Sequence, residues 1–210
     1  MPIIYSNVSN EKYSVCCMGQ TVYVYKKAGT ELARFTLVMA DFPVISPKGD
    51  VFAVKSKDGC VAVYSFEKLS RIATLKFSDK GAQQEKGMCF SADGEKLYSI
   101  EGENGCIVTV YNMNALSVEN KIDFDASLTH IECTDGHVYV LGTEGEKTFV
   151  AKLDGEKKYV EAEDYDFYYN YKCAQARGFS SAAMDLYLPK LHDVEDNKTS
   201  LAELWKKIEG

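Results

Sequence analysis

The stretch DGCVAVYSF, residues 58–66, decides the fold, because a close variant of it, NGCIVTVYNM, returns at residues 104–113. A shorter echo, TVYVYKK, stands at residues 21–27. In each copy small and β-branched residues alternate up to an aromatic, which favours a half-buried β-strand. Each copy contains the pattern VxVY, which ends at Tyr25, Tyr64 and Tyr111. A weaker fourth copy, TFVA, ends at Ala151. Their spacing of about 40 residues predicts four copies of one structural unit.

A second landmark recurs in step with the first. The turn sequences SPKG (46–49), SADG (91–94) and CTDG (133–136) each precede a short apolar run. Glycine at the end of each supplies the positive φ that tight turns require. The unit is therefore predicted to be four short antiparallel strands, and four strands repeated at this period indicate the blades of a β-propeller.

The SxxG turn before the second strand and the VxVY third strand resemble the WD40-like β-propeller repeat family. The resemblance implies a mainly β fold over residues 1–164, as four divergent blades at 2–37, 42–78, 86–124 and 128–164. The Gly-His and Trp-Asp dipeptides of that family are missing, and tyrosine stands where the family places tryptophan. The family's Asp-His-Ser/Thr-Trp hydrogen-bond network is therefore not expected here.

Four blades are at the lower end of the range for a propeller. Three arrangements would bury the sheet faces: a closed four-blade ring, a half-propeller that pairs with its own copy to make eight blades, and a half-propeller completed by another protein. A two-fold homodimer is the simplest of these if the ring does not close.

Residues 165–210 differ from the repeats in amino-acid composition and predict a short α-helical extension. Ser200 and Glu203 match a capping box at the start of the last helix. One face of that helix would carry Leu201, Leu204, Trp205 and Ile208. We expect the extension to pack on the last blade, and the alternative is a docking element for a partner.

Composition excludes several classes of function. A net charge of −7 argues against nucleic-acid binding and against an anionic membrane surface. The N-terminus has no signal-peptide pattern and no apolar run is long enough to span a membrane, so a cytoplasmic protein is expected. In that compartment the odd number of cysteines predicts free thiols used as small buried residues: Cys16, Cys17, Cys60, Cys89, Cys106, Cys133 and Cys173.

No motif for a nucleophile, a metal or a phosphate is present. We therefore expect no catalytic residues, no cofactor and no metal site, since strand geometry would scatter His130, Cys133 and His137. The acidic, aromatic segment 161–171 is the most unusual local composition. With the helix tryptophan it supplies the predicted partner-binding residues: Tyr165, Phe167, Tyr168, Tyr169, Tyr171 and Trp205.

The function expected from these observations is a non-catalytic protein–protein interaction or scaffold module. A narrower version is an acidic immunity-type protein that neutralises a basic enzyme. Two alternatives remain: a hydrolase or lyase with a pocket in a central channel, and a self-assembly element that forms an eight-blade homodimer.

Overall fold

The computed structural model describes residues 6–56, 59–76, 87–160 and 200–209. Each repeat in the sequence forms one four-stranded antiparallel sheet, whose strands are ordered as in the chain. Blade 1 contains β1 Ser6–Ser9, β2 Tyr13–Met18, β3 Thr21–Lys26 and β4 Glu31–Thr36. Blade 2 contains β5 Asp41–Ile45, β6 Val51–Lys55, β7 Cys60–Ser65 and β8 Ser70–Lys76. Blade 3 contains β9 Met88–Phe90, β10 Lys96–Glu101, β11 Ile107–Asn112 and β12 Ser117–Asp123. Blade 4 contains β13 Ser127–Thr134, β14 His137–Glu144, β15 Lys147–Lys152 and β16 Lys157–Tyr159. The predicted mainly β fold is confirmed. The sheets of blades 1 and 3 lie within the ranges predicted for them, whereas those of blades 2 and 4 each begin one residue earlier than predicted, at Asp41 and Ser127.

The predicted turns between the first and second strands are confirmed. In blade 2, Gly49 has φ 69° and donates its N–H to the Ser46 carbonyl at 2.8 Å. In blade 3, Gly94 has φ 68° and donates to Ser91 O at 2.9 Å. A positive φ is the conformation that glycine adopts without steric cost, so these SxxG turns need glycine at their last position.

The VxVY tyrosines share one further feature. In blades 1, 2 and 3 the register between the third and fourth strands shifts at the step that ends in Tyr25, Tyr64 and Tyr111. A β-bulge at the same point of each repeat bends the outer strand pair. The unit that repeats in the sequence therefore also repeats in the structure.

The blades stack in chain order through apolar cores. For each blade we call the side turned towards the preceding blade its backward face, and the side turned towards the following blade its forward face. One core joins blades 1 and 2, a second joins blades 2 and 3, and a third joins blades 3 and 4. No core among the described residues joins blade 4 to blade 1, so the described sheets form an open arc.

Among the described residues, the helix α1 Leu201–Glu209 covers the forward face of blade 4. The predicted capping box is confirmed at its start. Ser200 Oγ accepts from the Glu203 N–H at 3.1 Å, and Glu203 Oε2 accepts from the Ser200 N–H at 2.8 Å. The rest of the predicted extension, residues 165–199 and 210, and its boundary with the repeats lie outside the described residues. In the part of the chain that is described, no helix has the length and apolar character needed to cross a membrane.

Candidate interaction site

The backward face of blade 1 is the end of the arc that no described blade covers. Tyr64 and Tyr111 lie on the backward faces of blades 2 and 3, where each is buried completely in the core shared with the preceding blade. Tyr25 occupies the same repeat position in blade 1 and is only half-buried. The backward face of blade 1 therefore has the side-chain layout of a blade junction without a preceding blade among the described residues.

We call this surface the open face and define it by the side chains that alternate outward from the sheet of blade 1: Cys16, Met18, Tyr23, Tyr25, Glu31 and Arg34. None of these six belongs to the core between blades 1 and 2. Directly opposite residues in an antiparallel sheet share a face, and the register pairs Cys16 with Tyr23 and Tyr23 with Arg34. These side chains therefore form one continuous surface.

The open face combines aromatic rings with one charge of each sign. The rings of Tyr23 and Tyr25 stack with their centroids 6.2 Å apart. The guanidinium of Arg34 lies 5.5 Å from the Tyr23 ring centroid, and Arg34 Nε donates to Glu31 Oε1 at 2.8 Å. Tyrosine, methionine and arginine are enriched at protein–protein interfaces, so this composition fits a binding surface.

Two ionisable groups on the open face are held in their neutral forms. Burial, and then the negative charge of Glu31, raise the pKa of Tyr25. Burial also raises the pKa of the Cys16 thiol. At neutral pH the face thus presents a neutral hydroxyl at Tyr25 and a neutral thiol at Cys16.

The opposite end of the arc is closed by α1. Trp205 is 1% exposed, and its ring centroid lies 6.1 Å from that of Tyr139. The ammonium groups of Lys158 and Lys152 lie 4.4 and 4.9 Å from the Trp205 ring. In addition, Glu132 on β13 accepts the Leu201 N–H at 2.9 Å. The helix is therefore held by apolar contacts, cation–π contacts and one hydrogen bond at its N-terminus.

Most of the partner-binding residues predicted from the sequence lie outside the described residues: Tyr165, Phe167, Tyr168, Tyr169 and Tyr171. Trp205 is described, and its ring packs against blade 4. A partner could contact Trp205 only if α1 left the sheet. Its assignment as a binding residue stays a prediction. The open face was not singled out from the sequence, although the repeat-equivalent Tyr25 was a signal that could have identified it.

The cysteines and histidines do not form a reactive cluster in the described part of the chain. Six cysteines are described, and all six are free thiols. Burial raises the pKa of Cys17 to about 12, which keeps it unreactive. The strand register places His130 opposite Leu141 and His137 opposite Thr134. Among the described residues, no three histidine, cysteine, aspartate or glutamate side chains converge to hold a metal ion.

A buried polar network lies between blades 2 and 3. Lys55 and Glu101 are the charged side chains that are fully buried among the described residues. Lys55 Nζ donates to Ile100 O at 2.6 Å, which ties β6 of blade 2 to β10 of blade 3. The Tyr111 hydroxyl donates to Glu101 Oε1 at 2.8 Å. This network includes Tyr111, the tyrosine that ends the third strand of its repeat, and it joins blades 2 and 3.

A cleft of about 310 Å³ lies between blades 3 and 4, and its lining includes Lys96, Glu119 and His137. Lys96 and Glu119 form an ion pair at 2.6 Å, with 42% and 34% of their side chains exposed. Ion pairs this accessible to water are weak. The charged groups Lys96 and Glu119 of the cleft are thus exposed to water and paired with each other.

No protein-family model matches the sequence, and no curated protein matches it. Solved structures do resemble the fold. They include the hydrazine synthase of Kuenenia stuttgartiensis (TM-score 0.63, 14% identity, covering 77% of this chain and 50% of that one). They also include U3-55K (TM-score 0.62, 13% identity, 76% and 52%) and the WD40 repeats of RRP9 (TM-score 0.65, 12% identity, 78% and 52%). The chain spans about half the length of these proteins, and the likeness shows a WD40-type β-propeller fold.

Proposed function

We propose that this chain is a non-catalytic protein-interaction scaffold that binds a partner protein through the open face of blade 1. The observation that carries the proposal is the position of Tyr25. Its repeat equivalents Tyr64 and Tyr111 are buried in blade junctions, whereas Tyr25 is half-buried on a face that no described blade covers. A sheet face with this layout gains apolar burial when another surface packs on it.

The chemistry of the open face supports a protein partner. Tyr23 and Tyr25 offer large rings with few rotatable bonds, and Arg34 offers a guanidinium already held over a ring. Aromatic and arginine side chains of this kind dominate the binding energy of protein interfaces. The charged pair of Arg34 and Glu31 at the rim would select a partner with matching charges.

The charged groups that are buried or that line a cleft among the described residues bear on the hydrolase or lyase alternative. The fully buried charges of the described residues, Lys55 and Glu101, lie on second strands inside a blade junction. The neighbouring cleft holds the solvated pair Lys96–Glu119. This arrangement favours the scaffold over the hydrolase or lyase alternative.

The narrower immunity-type role would be one form of this scaffold. A net charge of −7 suits a basic partner, and association of opposite charges weakens as salt is added. A captured partner with a basic surface, whose activity falls on binding, would support that form.

The proposal is tested by affinity capture from extracts of the source organism. Tagged wild-type chain is compared with Arg34→Glu, which reverses a charge on the open face, and with Lys76→Glu, a matched reversal at an exposed position of β8. We expect a partner that the wild type and Lys76→Glu retain and Arg34→Glu loses. Capture of the same proteins by all three chains would contradict the proposal.

A further inference from the structure

We propose that the open face of blade 1 accepts the forward face of blade 4 from a second copy of this chain, and that α1 prevents this by covering that forward face. The inference rests on the proposed function, because it uses the same surface and names one partner for it, a second copy from which α1 has been released. It adds a regulatory role for α1: the helix acts as a cap whose release exposes the face that completes a ring of blades.

The kind of partner follows from the repeat register. Every backward face within the arc receives the forward face of the preceding blade. On blade 2, for example, the Tyr64 ring lies 4.5 Å from the ring of Phe35 on blade 1. Because Tyr25 is the repeat equivalent of Tyr64, the open face is laid out to receive the forward face of another blade.

A second copy carries one such face that no described blade covers. The forward face of blade 4 presents Tyr139, Leu141 and Val150, all buried under α1. In place of a fifth blade, α1 supplies an apolar surface made by Leu201, Ala202, Leu204 and Trp205. The helix therefore occupies the position that the open face of the second copy would take.

The chemistry of the two faces is complementary. Lys152 and Lys158 at blade 4 hold their ammonium groups over the ring of Trp205. When α1 leaves, these two cations lose that ring. Arg34 already engages Glu31 and the Tyr23 ring on the open face, but the ring of Tyr25, stacked on Tyr23, can take the place of the Trp205 ring, since an aromatic face attracts an ammonium ion.

A two-fold axis between two copies of the chain would complete a ring of blades. Two copies related by a two-fold axis would form two identical junctions, each between blade 1 of one copy and blade 4 of its partner. The result has eight blades, within the range of closed propellers. The similar solved structures are matched over only 50–52% of their length, in keeping with half of a ring.

The test is the solution mass, measured by light scattering during size-exclusion chromatography over a series of concentrations. We expect 23.4 kDa for the wild type, because α1 covers blade 4. The uncapped variant, Leu201→Ala with Trp205→Ala, is expected to approach twice that mass. Adding Tyr23→Lys, which removes a ring and places a like charge opposite Lys152 and Lys158, should return it to the monomer mass, whereas Tyr159→Lys, at an exposed tyrosine of blade 4, should leave it dimeric.

Trp205→Ala alone is the milder variant if the double substitution does not fold, and its mass should rise with concentration. A folded uncapped chain that stays at 23.4 kDa, or one whose association is unchanged by Tyr23→Lys, would overturn the inference. A wild type of twice that mass would overturn the blocking role of α1. If the uncapped chain stays monomeric while the wild type still captures another protein through Arg34, the inference fails and the scaffold function stands.

Discussion

The hydroxyl of Tyr111 donates a hydrogen bond to Glu101 Oε1 at 2.8 Å, inside the core between blades 2 and 3. Both side chains are fully buried. Burial is the largest cause of the raised pKa of Tyr111, and the Glu101 charge adds to it. The tyrosine therefore stays protonated and remains a donor. The pair shows how the tyrosine that ends a third strand satisfies a buried carboxyl group.

Removing the hydroxyl should leave Glu101 with an unmet acceptor. For Tyr111→Phe we expect the free energy of unfolding at neutral pH to fall by about 1–3 kcal/mol, the cost of a buried group without its partner. The matched control is Tyr159→Phe, since the Tyr159 hydroxyl donates to Glu144 Oε2 at 2.7 Å on the exposed surface. Urea denaturation measures both variants, and equal losses would contradict the importance given to the buried pair.

Glu101 should also make stability depend on pH. Burial raises its pKa above the ordinary value, although the positive charge of Lys55 and the Tyr111 hydrogen bond oppose this. A carboxyl group with a raised native pKa holds its proton more tightly when folded, so the free energy of unfolding falls as pH rises from the unfolded pKa, about 4.3, through the native pKa. Glu101→Gln has no such titration.

The difference in unfolding free energy, wild type minus Glu101→Gln, should therefore be constant below about pH 4 and decrease as pH rises above it. Urea denaturation of both chains across this range measures that difference. A difference that increases with pH would mean that the native pKa is lowered, contrary to this account.

Gly142 on β14 should tolerate no side chain. A Cβ at this position would lie 2.8 Å from Phe149 Cζ, 2.9 Å from Leu128 Cδ2 and 2.9 Å from Ser127 O. Overpacking of this kind costs about 1–3 kcal/mol, so Gly142→Ala should lower the melting temperature. The control is Gly87→Ala, whose Cβ would have its nearest neighbour at 3.4 Å. Equal effects of the two substitutions would contradict the tight packing of blade 4.

The attachment of α1 should depend on Trp205. Because the ring is almost fully buried against Tyr139, Trp205→Ala should cost about 3–5 kcal/mol in the free energy of docking. Hydrogen exchange of the α1 amides should then approach that of an undocked peptide. Lys206→Ala removes only an exposed ion pair with Asp135 and should change exchange little. Unchanged protection in Trp205→Ala would contradict the docking.

Much of the fold could be predicted from the sequence because the blade is a local unit. The VxVY strands, the SxxG turns at Gly49 and Gly94 and the capping box of Ser200 depend on residues close together in the chain. Leu69 and Leu116 follow Tyr64 and Tyr111 at the same distance in the sequence, but their positive φ values of 47° and 52° were not predicted. They lie in the turns between the third and fourth strands, and the shape of such a turn depends on how the two strands pair.

The ends of the arc could not be predicted, since they depend on contacts between distant parts of the chain. Whether blade 4 meets blade 1 is decided by how blades stack, and a repeat pattern carries no information on that point. The hydrogen bond from Lys55 Nζ to Ile100 O likewise joins residues 45 positions apart in the chain. The open face depends on the same stacking, because Tyr25 is half-buried where no described blade covers it, whereas blade 1 buries Tyr64.

The most direct test of the account is photo-crosslinking from the open face. A photoreactive phenylalanine analogue replaces Tyr23 in one chain and Tyr159, which is 49% exposed, in a control chain, and both are irradiated in extract of the source organism. We expect a covalent adduct with a second polypeptide from position 23, lost when Arg34→Glu is added, and none from position 159. Adducts that form equally from both positions, or only from position 159, would contradict the assignment of the open face as the docking surface.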